Sequence, residues 1–103
     1  MFLEDLITAL AREDRTKSVR LGFGNPHSYR GHNEQVAFEP VENTTVGDML
    51  DAACAALDAT FDGYKGGSYR MTGFAECWLS EHGSASGETL GSTMLRLMLA
   101  DAA

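Results

Sequence analysis

Two short segments carry most of the chemistry this chain can offer. The richer is Asp62-Gly63-Tyr64-Lys65-Gly66-Gly67-Ser68-Tyr69-Arg70, and Ser28-Tyr29-Arg30-Gly31-His32 precedes it. Each sets a tyrosine, a cation and a glycine in succession, at Tyr29-Arg30-Gly31 and at Tyr64-Lys65-Gly66. A ring can stack on a flat base, a cation can meet a phosphate, and glycine lets backbone N–H groups approach an anion. Arginine grips phosphate through two parallel N–H bonds, whereas lysine acts as a point charge. The candidate ligand-binding residues are therefore Tyr29, Arg30, Gly31, Tyr64, Lys65, Gly66, Gly67 and Arg70. The plainer alternative makes Gly66-Gly67 a hairpin turn and the tyrosines loop anchors held through their hydroxyls.

Catalytic signatures are absent from the sequence. Ser28, Ser84, Ser86 and Ser92 occur without a Gly-x-Ser-x-Gly elbow, no His-x-Thr pair is present, and the one His-x-Ser, His82-Gly83-Ser84, has no second copy to suggest phosphodiester cleavage. Ser84-Ala85-Ser86-Gly87 reads as a loop that could cover a pocket. His27, His32, His82, Cys54 and Cys77 never fall at paired ligand spacings, so no metal and no cofactor is expected. His27 and His32 flank the first segment and are better placed to hydrogen-bond a ligand. Glu34, Glu39 and Glu42 suit a solvated strand edge, with Glu39 a lesser candidate for a ribose hydroxyl.

The chain has 103 residues, enough for one domain with a modest core. Its formal net charge of −7 argues against duplex nucleic acid, which asks for a basic face. Charge is unevenly spread, however. Residues 15–33 hold Arg15, Lys17, Arg20 and Arg30 without an acid, and residues 63–75 hold Lys65 and Arg70 likewise. Six of the eight cations thus lie in two acid-free windows that contain both segments. Two cysteines without a framework suggest buried free thiols in a reducing compartment. Met1-Phe2-Leu3 runs directly into Glu4 and Asp5 with no basic leader, and no apolar run nears the length of a membrane span. A soluble cytoplasmic protein is expected.

Several elements are needed to position the segments. Phe2 to Arg12 reads as an amphipathic helix with Phe2, Leu3, Leu6, Ile7 and Leu10 on one side and Glu4 and Asp5 in its first turn. Ser18 to Phe23 alternates as a strand that Gly24-Asn25-Pro26 should break. Asn33 to Glu39 is a second strand, ended by Pro40. Thr45 stands three residues before Asp48, a capping-box variant, and opens a helix with Val46, Met49, Leu50, Ala53 and Leu57 on one face. Ser68 to Thr72 and Phe74 to Leu79 read as strands, the latter apolar on both faces and so central. Thr89 to Ala100 closes as a helix with Leu90, Met94, Leu97 and Met98 in a stripe widened by Leu95 and Leu99, broad enough to meet a partner subunit. The order α-β-β-α-β-β-α specifies an α+β domain, a small antiparallel sheet with flanking helices.

Ser28-Tyr29-Arg30-Gly31, Val36-Ala37-Phe38-Glu39-Pro40, Thr45-Val46-Gly47-Asp48-Met49-Leu50 and Gly63-Tyr64-Lys65-Gly66-Gly67 together resemble a group of small phage- and prophage-encoded proteins. The likeness covers most of residues 21–99 and is weaker at Cys77-Trp78-Leu79. The chain is also similar to the anti-Thoeris sponges, phage proteins that sequester cyclic ADP-ribose isomers made by bacterial TIR-domain immune enzymes. That resemblance implies a homo-oligomer in the cytoplasm of an infected bacterium, with nucleotide pockets at subunit boundaries and binding without hydrolysis. It puts Arg30, Tyr64 and Lys65 at the pocket, supported by Tyr29 and Arg70. Two other readings stand beside it. One is an enzyme that cleaves such a signal. The other is an interaction protein docking through its apolar C-terminal helix.

Overall fold

A computed structural model of the chain describes residues 1–29, 34–62, 67–80 and 87–100. In order, the elements are α1 (Leu3–Ala11), β1 (Ser18–Ser28), β2 (Gln35–Thr45), α2 (Val46–Ala56), β3 (Thr60–Asp62), β4 (Ser68–Arg70), β5 (Glu76–Leu79), β6 (Glu88–Thr89) and α3 (Ser92–Ala100). The α+β class holds. β1, β2, β5 and β6 form one sheet in that order, and β3 and β4 form a separate hairpin. The sheet is mixed rather than wholly antiparallel, because β2 pairs with β5 in parallel.

Both long strands outrun their sequence-based limits, for local reasons. Gly24 pairs with Glu39 and His27 with Ala37, so Asn25 and Pro26 together oppose Phe38. Asn25 takes a left-handed φ of 48°, and its side-chain amide donates to Glu39 Oε2 at 3.0 Å. This is a β-bulge, which accepts the proline without ending the strand. Pro40 is tolerated for a different reason. The Phe38 carbonyl accepts from Ser80 N, so by backbone alternation Pro40 faces the same edge. There β5 has already ended at Leu79, and among the described residues the missing N–H has no strand to pair with.

α2 begins where the capping pattern put it. Thr45 Oγ1 accepts from Asp48 N at 3.1 Å. The Lys17 carbonyl accepts from Val46 N and the Arg15 carbonyl from Gly47 N, so the turn before β1 satisfies two further donors of that helix end. Gly22 is packed so closely that a Cβ would lie 2.6 Å from Thr44 Cγ2 and 2.9 Å from Met49 Sδ.

One buried cluster gathers Leu3, Leu6 and Leu10 of α1 with Phe23, Phe38, Met49, Ala53, Cys77 and Leu95. Phe2 lies outside it. It bridges Glu76 of β5 and remains 42% exposed, its ring edge-on to Phe74. The final helix starts at Ser92 rather than Thr89, because Glu88–Thr89 pairs with β5 first. Leu95 and Met98 turn inward while Leu97 is 64% exposed, so Leu97 leaves the expected stripe and Leu95, expected at its margin, joins the core. No described helix is long and apolar enough to cross a membrane.

Replacing Thr45 with alanine removes the cap and should lower unfolding free energy by about 1 kcal/mol. Urea denaturation would show this as a lower midpoint with an unchanged m-value, while Thr45→Ser stays near wild type.

Candidate functional site

Strand order carries the end of β1 toward Trp78. Ser28 and His27 pair with Val36 and Ala37, and these in turn pair with Cys77 and Trp78 on the opposite edge. The Tyr29 ring, immediately after β1, lies stacked on Trp78 with centroids 4.5 Å apart and planes within 10°. Tyr29 is buried. One of its faces is spent on the indole, so it forms a wall rather than an open stacking platform.

The two sequence segments are tied together at their bases. The Ser28 and Tyr69 hydroxyls share a hydrogen bond. Tyr69 belongs to β4, where it pairs with Phe61 of β3. β3 and β4 form an antiparallel hairpin, and Gly67, just before β4, has a φ of +71° that favours glycine. Arg30, Gly31, Tyr64, Lys65 and Gly66 lie outside the described residues, as do His32, His82, Ser84 and Ser86.

Two side chains at this junction escaped the sequence reading. One is Tyr69, although Ser-Tyr-Arg occurs twice, at 28–30 and 68–70. The hydroxyl bond joins the serine of one copy to the tyrosine of the other. The second is Trp78. Its Nε1–H is buried without a hydrogen-bond partner among the described residues. A buried donor left unpaired costs about 1–3 kcal/mol, so few persist without a reason. An acceptor oxygen brought to this edge of the indole would recover that cost.

Arg70 is the described cation nearest in sequence to this junction. Its side chain is 71% exposed, and Nε reaches Asp58 Oδ1 at 3.2 Å. An exposed pair of this kind contributes little and gives way to a stronger anion. Two further cations of the acid-free windows are also met in space. Arg15 pairs with Asp51 at 3.1 Å, and Lys17 with Glu13 at 3.7 Å. His27 Nδ1 lies 3.3 Å from the Asn25 carbonyl, inside the bulge. Among the described residues, no three His, Cys, Asp or Glu side chains gather in a way that could hold a metal.

The two thiols differ from each other. Cys77 is buried on β5, but Cys54 is exposed on α2, contrary to the expectation that both are buried. Ala53 and Ala56 fill the inward face of the helix beside it, which turns position 54 to solvent. Burial pushes the Cys77 thiol up to about 12, against a smaller downward pull from the N-terminal ammonium.

No family model, no curated protein and no solved structure matches this chain. Its function is therefore argued from the site.

Thiol titration at pH 8 should count one reactive cysteine in the native protein and two after denaturation, with Cys54→Ser abolishing the native count. The unfolded thiol releases its proton near 9.0 and the folded one near 12. Cys77 thus adds nothing pH-dependent below pH 9 and withdraws stability as pH rises from 9 to 12. At the junction, Ser28→Ala and Tyr69→Phe remove the same bond. A double-mutant cycle in urea should return a coupling of about 1 kcal/mol, and additive losses would mean that the bond is not made in solution.

Proposed function

We propose that this protein is a binding module that captures a small, flat, anionic ligand of the nucleotide class and holds it without cleaving it. The observation that carries this reading is the Ser28–Tyr69 hydroxyl bond, which ties the bases of both Tyr–cation–Gly segments to one place. Arg30 and Lys65 belong to those segments by sequence and supply the phosphate contacts. Arg70 of the described hairpin, paired with Asp58 at the surface, is a further candidate cation. The unspent Trp78 N–H is a donor for a phosphate or carbonyl oxygen. With Tyr29 committed to Trp78, stacking on the ligand falls to Tyr64.

The charge balance fits this role. A net charge of −7 repels RNA and DNA, while a few cations carried by two neighbouring segments still attract a compact anion. In its most specific form, the module is a phage-type anti-defence sponge in the cytoplasm of an infected bacterium. Its ligand is then a cyclic ADP-ribose isomer or a cyclic nucleotide, and a second copy completes the pocket as a homo-oligomer. The reading of the chain as a protein-interaction module rests on a separate observation, an apolar cleft beside α3.

Thermal shift against cyclic ADP-ribose isomers and cyclic dinucleotides tests this directly. A ligand present at a hundred times its Kd stabilises the folded state by about 2.7 kcal/mol, several degrees in Tm for a domain of this size. Arg30→Ala and Lys65→Ala should erase the shift, and Arg70→Ala reduce it. The single tryptophan reports the same event by fluorescence. Trp78→Phe keeps the stack but loses the donor, so it should weaken binding about tenfold, the worth of one hydrogen bond. Heating the complex should return intact ligand. A cleaved product would make the protein an enzyme, and a panel that shifts nothing would end the nucleotide reading.

A further inference from the structure

Successive side chains of a strand point to opposite faces, and β5 uses both. Trp78 turns to Tyr29. Leu79 instead lines a cleft of about 350 Å³ with Leu21, Pro40, Met94, Leu97 and Met98. This volume falls at the lower end of the roughly 300–1,000 Å³ typical of sites that seat apolar groups. Leu21 is 54% and Leu97 64% exposed, so the cleft continues outward as apolar surface on two sides. Its methionines can repack around an incoming side chain.

The rim is acidic. Glu88 is part of the lining, and Glu42 is the cross-strand partner of Leu21. Both are exposed. The backbone edge alongside is β2 past Phe38, where no described strand pairs with it on the β5 side. Pro40 removes an N–H from that edge, and flanking carboxylates discourage strand addition by another copy. At this cleft a second copy in a symmetric contact would also set the same two rim glutamates against these. What complements the cleft is an apolar segment with positive flanks.

We propose that this cleft docks a segment of a foreign protein, with one or two large apolar side chains in the hollow and lysine or arginine against Glu42 and Glu88. The site is independent of the nucleotide reading, since it uses the opposite face of β5. Rim charges then govern encounter rate and salt dependence, while the apolar side chain governs lifetime.

The test is a synthetic peptide alternating leucine and phenylalanine with lysine, titrated into isotope-labelled full chain and followed by NMR. Two control peptides replace lysine with glutamate, or the apolar residues with serine. Saturable binding should move signals of Leu21, Leu79, Met94 and Leu97, and weaken at least about tenfold with either control. Leu97→Asp, an exposed position, should abolish binding, and the paired changes Glu42→Lys and Glu88→Lys should transfer preference to the glutamate peptide. Trp78→Phe should leave binding unchanged. Equal binding of the lysine and glutamate peptides, signals moving all over the surface, or no binding would overturn the proposal. So would sedimentation showing a wild-type dimer that Leu97→Asp dissociates, because a second copy would then occupy the cleft.

Discussion

The four residues of β5 are the constraint on which everything else depends. On one edge, Glu76–Leu79 pairs in parallel with Gln35–Phe38. On the other, β6 pairs with Trp78 and Leu79, and the N-terminus supplies the rest through Cys77 N to the Met1 carbonyl and Leu3 N to the Ala75 carbonyl. A strand this short holds only because both edges are paired and Cys77 is buried in the core between them. A parallel neighbour cannot follow through a tight turn. The chain spends α2 and the β3–β4 hairpin on the crossover, and that detour delivers Tyr69 to Ser28. The candidate site is thus a product of topology rather than of any single loop.

Features decided within a few residues were legible in the sequence. The Thr45 cap, the α1 face of Leu3, Leu6 and Leu10, and the interior place of β5 in its sheet all follow from local spacing. Features decided by a neighbouring strand were not. Asn25-Pro26 looks like a terminator until Glu39 is seen to hold the bulge, and Pro40 looks like a stop until β5 is seen to end first. The parallel register of β2 with β5 leaves no mark in either strand, since the apolar residues 36–38 and 77–79 could meet in either direction. The same holds for charge. Arg15 and Arg70 look unopposed along the chain because Asp51 and Asp58 reach them from other elements.

Packing at the candidate site hides from the sequence for a related reason. Residue types suggest a chemistry, but not which tyrosine is used up by packing. Tyr29 and Trp78 bury large flat surfaces against each other, and aromatic pairs of this kind add about 0.5–1.5 kcal/mol beyond their burial. That gain commits Tyr29 to the fold. The repeat that mattered was Ser-Tyr-Arg, whose hydroxyl pairing needs two strands brought side by side.

A single strand with different business on its two faces has a thermodynamic consequence. Trp78 and Leu79 are adjacent on a backbone fixed at both edges, so little slack separates the Tyr29 wall from the apolar cleft. An occupant on one face that shifts β5 must be felt on the other, and the effect is reciprocal in free energy. If β5 stays rigid, the two faces act independently and the coupling is zero. The strand's full complement of backbone bonds favours rigidity, because moving it would break pairs on both edges at once. What remains adjustable is the methionine and leucine surface of α3, which can repack around one occupant while leaving Trp78 in place.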